Sequence, residues 1–472
     1  ALFAAVKHIF DPANLLNPGV LVDPRPLDAD LRLPSAAGSR LPRLAAGFVA
    51  DAHRCTGVGK CLTETGAMCP SYQATGREQD STRGRAHVLQ ELANGSLVTG
   101  WRAPEVREAL DLCLACKACA SECPTGTDVA DLKSRVLAEA HRHRLRPRSH
   151  YVLGWLPTWG RIITGVPGLP TLVNGALGLP GVSAAARWLA GVDARRSLPR
   201  FSPRAARRRL PAQGPGGLGG LPQRPRAVAP DRDTSIPAPV AVWVDSFTDT
   251  LDADRLDAVC SVLSTAGFAP SVIRRTACCG LPWITTGQRD HAARLLRHSL
   301  EVLHPIVAAG IPVVGLEPSC TAVWRSDAAR LLDDPRVAEV AAGIRTLAEL
   351  LDTSGWTPPD LSGLAVVAQP HCHHASVLGW EADARLLART GAEVVTVAGC
   401  CGLAGNFGVE RGHYDTSVAV ARTHLLPAVE QAGPGAVLLA DGFSCRLQLA
   451  DLAGRPALTL AELLTDTRRN LR

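Results

Sequence analysis

The sequence predicts a multidomain chain in which a mostly α-helical, cysteine-rich domain is followed by two repeated small α/β units. Three observations carry this prediction: seven cysteines spaced between Cys55 and Cys123, a stretch rich in arginine, proline and glycine after them, and an ordered internal repeat from Pro239 onward. The 472 residues suffice for about three domains, and 46% hydrophobic with 20% charged residues is ordinary for a chain that buries real cores.

Residues 1–45 open with the end of an amphipathic helix, Phe3 to Phe10, and continue into a tight turn at Asn17-Pro18-Gly19. The chain starts at Ala1 inside that helical pattern, which reads as part of a longer polypeptide. Residues 46–145 hold the seven cysteines, with helical patterns over Ser81–Leu92, Ala103–Leu114 and Val129–His141. Residues 146–236 read as a basic, Pro/Gly-rich linker with amphipathic helices that pack on a neighbour or rest on a membrane; Pro211–Pro230 is its most linker-like part.

The two α/β units are expected at 237–335 and 362–465. Val240–Val244 matches Leu364–Ala368, Cys278-Cys279-Gly280-Leu281 matches Cys400-Cys401-Gly402-Leu403, and Ser319-Cys320 matches Ser444-Cys445, in the same order. In each copy, strands alternate with helices, so parallel pairing is expected, with strands at Ile311–Leu316 and Ala436–Ala440 leading to Ser-Cys.

The net charge is +6, and its basic clusters, Arg142 to Arg148 and Arg195 to Arg209, read as solvated linker. No stacking aromatics interleave with these arginines, so no nucleic-acid partner is expected. The most apolar stretch, Tyr151–Val192, is broken by Pro157, Pro167, Pro170 and Pro180, which predicts a soluble or peripheral protein with at most a surface contact to a membrane. Fifteen cysteines, several in CxxC spacing and with no secretory signal, point to metal ligation in a reducing compartment, cytoplasmic or at the inner face of the membrane.

Cys113, Cys116, Cys119 and Cys123-Pro124 form the C-x2-C-x2-C-x3-C-P run of a bacterial-type [4Fe-4S] site, in which the fourth cysteine serves the other of two clusters. Zinc is the alternative, and this ladder disfavours it. Cys55, Cys61 and Cys69-Pro70 resemble the same run with Val58 at the second cysteine position. If the runs exchange fourth ligands, Cys69 joins Cys113, Cys116 and Cys119 around one [4Fe-4S] cluster. The other site then has only Cys55, Cys61 and Cys123, which suits a [3Fe-4S] cluster or a cube with one labile iron. Ser81 to Arg85 either sets Arg83, Arg85 and backbone N–H groups beside an anionic cluster or is a helix N-cap with solvated arginines.

Adjacent cysteines normally point apart, so Cys-Cys-Gly requires a sharp turn for both sulfurs to converge. The second copy offers Cys372, Cys400, Cys401 and Cys445; the first offers Cys278, Cys279 and Cys320, with Ser246 or a neighbour where a leading cysteine would stand. An iron-sulfur cluster and zinc both fit these sets. His371, His373 and His374 flank Cys372 and read as structural, with ligation or proton relay as the alternative. Cys260, in a helical pattern, reads as core.

These motifs resemble the C-terminal part of the FAD-linked D-2-hydroxyacid dehydrogenases (D-lactate, glycolate and D-2-hydroxyglutarate types) that are fused to a 4Fe-4S ferredoxin-type domain and two CCG, heterodisulfide-reductase-like domains. Lys7 to Pro12 with Leu16 to Gly19 resembles the closing segment of the FAD-linked oxidase C-terminal domain, making residues 1–45 a remnant of that domain with Asn17 on the FAD side. Met68 to Tyr72, Ser81 to Arg85, Cys113 to Pro124, Gly315 to Cys320 and Cys400 to Gly408 resemble the later domains. The resemblance implies an oxidoreductase in which this portion carries electrons from flavin to a quinone or electron-carrier protein, the flavin domain being a missing portion or separate subunit. It also implies that this chain alone lacks the flavin and substrate sites. The alternative is a heterodisulfide-reductase-like thiol/disulfide subunit.

Overall fold

The computed structural model describes residues 2–26, 46–63, 66–95, 97–208 and 237–465. The expected linker Pro211–Pro230 lies outside the described residues, as do residues 27–45.

The first helix, Leu2–Phe10, ends where Asp11 accepts hydrogen bonds from Lys7 Nζ (2.6 Å) and from the N–H groups of Leu15 and Leu16 (2.8 Å each). Its apolar residues Leu2, Phe3, Val6, Ile9 and Phe10 are exposed. The cysteine-bearing region is helical, with helices at Ala46–Ala52, Pro70–Thr75, Thr82–Asn94, Pro104–Asp111, Ala118–Glu122 and Val129–Ala140. Leu89, Leu92, Val106, Leu110, Leu132 and Val136 fill its core at helical spacing, each fully buried side chain contributing roughly 1.5–3 kcal/mol. The helix expected over Ala103–Leu114 stops at Asp111. The loop that follows places Ala115 (φ 55°) and Lys117 (φ 65°) in the left-handed region, which a continuing helix forbids.

Between the cysteine-bearing region and the α/β units, four short helices, Arg148–Val152, Leu156–Gly165, Leu169–Leu177 and Pro180–Ala190, turn the broken apolar stretch into a small layer. Pro157, Pro170 and Pro180 sit in the first turns of three of them, where the missing N–H costs nothing. Trp159, Ile162, Leu172, Leu179, Val182 and Trp188 remain exposed on this layer. No described helix is long and apolar enough to cross a membrane. The basic run after it differs from the solvated linker expected: Arg196 is buried, donating to Gly408 O, Gln448 Oε1 and Ser417 Oγ at 2.7 Å each. A guanidinium has five donors, and this backbone-and-side-chain pocket absorbs enough of them to bury it.

Two parallel sheets follow. β1 (Ala238–Trp243), β2 (Phe268–Val272), β3 (Val313–Gly315) and β4 (Ile344–Arg345) are ordered β2-β1-β3-β4, so the first sheet extends past residue 335. β5 (Ala365–Ala368), β6 (Glu393–Thr396) and β7 (Val437–Leu439) are ordered β6-β5-β7. The central strand has the same neighbours in both, with Ala241 opposite Val313 and Val366 opposite Val437. Val240, Val242 and Val314 of one sheet share a single core with Val366, Val437 and Leu439 of the other, joined through helices Arg255–Thr265, Leu347–Thr353, Glu381–Arg389 and Leu460–Leu464. Continuous apolar strands of this kind belong to sheets buried on both sides.

Candidate metal centres

Cys69 adopts a left-handed conformation (φ 53°) immediately before helix Pro70–Thr75, and this turn carries its sulfur toward the Cys113–Cys119 loop. Cys69, Cys113, Cys116 and Cys119 line one small cavity together with Thr82, Arg85 and Lys117. Four buried sulfurs converging on one cavity fit the donor set of a cubane cluster. Burial pushes the Cys119 thiol up to about 12 and Cys116 well above its ordinary value, so thiolates form here only against a bound cation.

The start of helix Thr82–Asn94 supplies donors to these sulfurs. The Thr82 N–H donates to Cys69 Sγ at 2.9 Å and the Arg83 N–H to Cys61 Sγ at 3.3 Å, while Ser81 caps the helix by accepting from the Gly84 N–H. The N-cap and the cluster-facing N–H groups are thus one device. Arg85 is buried, donating to Ala109 O (2.9 Å) and Ser71 Oγ (2.8 Å), whereas Arg83 is half-buried and pairs with Glu78 at 3.0 Å.

Cys55, Cys61 and Cys123 form a second, shallower group. Burial raises the Cys55 thiol, and the nearby Cys61 and Cys123 sulfurs raise it further. Hydrogen bonding from Cys69, then from the Arg83 N–H and Ser81, pulls the Cys61 thiol down to about 6. Val58 is 61% exposed and offers no donor. Cys123 is held by the Thr125 hydroxyl at 3.2 Å.

In the second α/β unit Cys372, Cys400, Cys401 and Cys445 are all buried, with hydrogen-bond-range links from Cys400 to Cys372 and Cys401 and from Cys401 to Cys445. Gly402 makes the turn: its φ is +85°, and a Cβ there would lie 2.2 Å from Ser417 O. In the first unit Cys279 Sγ lies 3.0 Å from Cys320 Sγ, Cys278 adjoins Cys279, and Ser246 hydrogen-bonds Cys278 where a fourth ligand would stand. Cys260 lies in helix Arg255–Thr265, packed against the shared core and away from both sets.

The loop carrying Cys372 packs directly on the Cys113–Cys119 loop. His373 Nε2 is 2.9 Å from Ala115 O, and the Cys116 thiol, raised first by burial, is raised next by Cys372. Beside this junction lies an apolar cavity of about 290 Å³, walled by Leu156, Leu177, Phe201 and Phe247 from the helical layer and first unit and reaching Cys372 and His371.

The sequence matches two family models, a 4Fe-4S dicluster domain over residues 51–127 and a cysteine-rich (CCG) domain over residues 379–450. The D-2-hydroxyglutarate dehydrogenase of Escherichia coli (strain K12) is 26% identical over 97% of this chain and 48% of its own length. That of Pseudomonas putida is also 26% identical, over 95% of this chain and 47% of its own. The glycolate oxidase iron-sulfur subunit of Escherichia coli (strain K12) is 25% identical over 86% of this chain and 91% of its own length. The chain thus carries both domain matches and is similar, at 25–26% identity, to D-2-hydroxyglutarate dehydrogenases and to a glycolate oxidase iron-sulfur subunit. It spans about half the length of the dehydrogenases it matches.

Asn17 lies in the exposed turn after the first helix and lines neither the four-cysteine cavity nor the apolar cavity at Cys372. Sequence reasoning passed over Lys117, which is buried between Asp327 (2.7 Å) and Asp128 (3.1 Å) beside the four-cysteine cavity. Its position inside the Cys116–Cys119 run was the only signal, since Asp327 comes from the first α/β unit.

Proposed function

We propose that this chain is the iron-sulfur electron-transfer portion of an FAD-dependent D-2-hydroxyacid dehydrogenase of D-lactate or D-2-hydroxyglutarate type, carrying electrons from a flavin to a quinone. The supporting observation is the packing of the Cys113–Cys119 loop on the Cys372 loop through Ala115 and His373, which sets two cysteine groups side by side. Bound iron-sulfur clusters supply one-electron carriers. Cys69, Cys113, Cys116 and Cys119 are assigned to a [4Fe-4S] cluster, Cys55, Cys61 and Cys123 to a three-iron or labile-iron site, and Cys372, Cys400, Cys401 and Cys445 to a further iron-sulfur cluster. Cys278, Cys279 and Cys320 of the first CCG-like unit form a ligand-short set. The Thr82 and Arg83 N–H groups and the buried Arg85 favour the more negative state of a nearby cluster and so raise its potential.

A quinone is favoured over a carrier protein by the apolar cavity that ends at Cys372 and by the exposed apolar layer from Trp159 to Trp188 around it, a surface suited to a membrane face. The exposed apolar side of helix Leu2–Phe10, with Asn17 close behind it, suits contact with a flavin-bearing portion.

The test joins the chain to its flavin-bearing portion under strict anaerobiosis. Addition of D-2-hydroxyglutarate or D-lactate should bleach the iron-sulfur absorbance, and Cys116→Ser should abolish reduction of a soluble quinone analogue while flavin reduction persists. Protein that is colourless and free of acid-labile sulfide after oxygen-free expression with ample iron, or that holds zinc instead, would overturn the proposal.

A further inference from the structure

A second polar cluster, separate from the cysteines, lies where the two α/β units meet. His374 follows Cys372 by two residues, Asp383 is in the first turn of helix Glu381–Arg389, and Asp441 follows β7. One imidazole nitrogen and two carboxylate oxygens from these residues lie within 4.8 Å of one another. His374 and Asp383 are 2% and 1% exposed. The first unit closes the small cavity over them with Arg255, Thr321 and Thr346.

Hydrogen bonding leaves this cluster unexplained. His374 Nε2 is 3.1 Å from Asp383 Oδ2, within ion-pair distance but off hydrogen-bond alignment, and His374 Nδ1, also buried, has no hydrogen-bond partner among the described residues. Buried polar atoms are rarely left so. A separation of this size is what two ligands of one ion show, since bonds of about 2.0–2.2 Å at tetrahedral or octahedral angles set ligand atoms roughly 3.0–3.5 Å apart. Asp441 has Oδ1 engaged by the Leu460 N–H at 3.0 Å, which orients the carboxylate and leaves its second oxygen for a cation.

Asp245, Asp252, Glu317 and Asp441 are gathered around Arg255 and Arg446, whereas Asp383 faces His374 and Asp441. Arg255 spends its charge on Glu317 and Asp441 at 3.4 Å each, and Arg446 pairs with Asp252. Among the described residues, Asp383 meets no cationic side chain other than His374.

We propose that His374, Asp383 and Asp441 bind a divalent first-row cation. One imidazole with two carboxylates suits manganese, ferrous iron or zinc better than calcium or magnesium, which prefer oxygen alone. The ion ties the loop that carries Cys372 to the segment that leads into Cys445, so it holds two of the second unit's cysteines in register.

The probe is Mn²⁺, added to the full chain after anaerobic treatment with EDTA, with free Mn²⁺ counted by its six-line electron paramagnetic resonance signal. Wild-type protein should take up one tight equivalent that Zn²⁺ displaces. Asp383→Asn and His374→Gln should each weaken that uptake by at least about tenfold, as loss of a ligand does. Iron and sulfide content and far-ultraviolet circular dichroism report that each variant is folded, and Asp441→Asn replaces either one that is not. Absence of a tight equivalent in the wild type, or the same titration in folded variants, would overturn the proposal.

Discussion

Cys69 and Cys61 differ from Val58 in one respect that decides the chemistry near the N-terminal cysteines: each brings a sulfur to a place where Val58 brings none. The oxidised protein, purified without oxygen, should therefore show a three-iron paramagnetic signal at the Cys55, Cys61 and Cys123 site. A spectrum with no such signal, even after mild oxidation, would mean that a fourth ligand completes a cube. Gly402 is the complementary case, a residue needed for what it lacks. Gly402→Ala sets a methyl 2.2 Å from Ser417 O at a φ of +85°, so it should destabilise the second α/β unit by on the order of 2–4 kcal/mol. Chemical denaturation measures this, and a loss under about 0.5 kcal/mol would show that the turn is not constrained.

Among the elements, the loop Cys113–Cys119 and the strap around Arg196 show why helix periodicity was a partial guide. The apolar spacing of Pro104–Asp111 continues into Leu112 and Leu114, but the chain leaves the helix because its next task is to aim three sulfurs at one cavity. The run Arg195 to Arg209 looked like solvated linker because nothing local marks Arg196 as different from its neighbours. Its acceptors, Gly408, Ser417 and Gln448, lie more than 200 positions away. Replacing Arg196 with Met strands these buried acceptors, and at about 1 kcal/mol or more for each the loss should reach roughly 2–4 kcal/mol. Thermal unfolding of Arg196→Met against Arg195→Met separates the buried residue from its more exposed neighbour, which should cost far less.

Across the whole molecule, the cysteine-bearing region and the start of the helical layer are locked to the first α/β unit by a belt of polar contacts. Arg289 meets Asp131 at 2.8 Å, Ser134 donates to Ile284 O, Arg146 reaches Thr286 O and Gly287 O, and Gln288 donates to His150 O. His150 sits buried in this belt, and burial, then His141 and Arg146, pull its pKa down to about 3. The unfolded chain binds a proton at His150 below about 6.5 while the folded chain does not, so this contribution is complete above that pH and is lost as the pH falls toward 3. At pH 5 the loss is about 2 kcal/mol. The melting temperature should therefore fall between pH 7 and pH 5, and His150→Asn should flatten that fall; an unchanged slope would remove His150 as its source.

That the strands of the α/β region pair in parallel was legible in the sequence, because it depends on strands alternating with helices along the chain. The tertiary structure alone decided that Ala115 meets His373, that Lys117 finds Asp327, and that His374, Asp383 and Asp441 converge. Those partners come from separate segments, and only the packing of the two α/β units around one shared core, against the helical domain, brings them within reach. Local geometry is written in short-range spacing, whereas charge pairing between distant segments is set by how the folded layers stack.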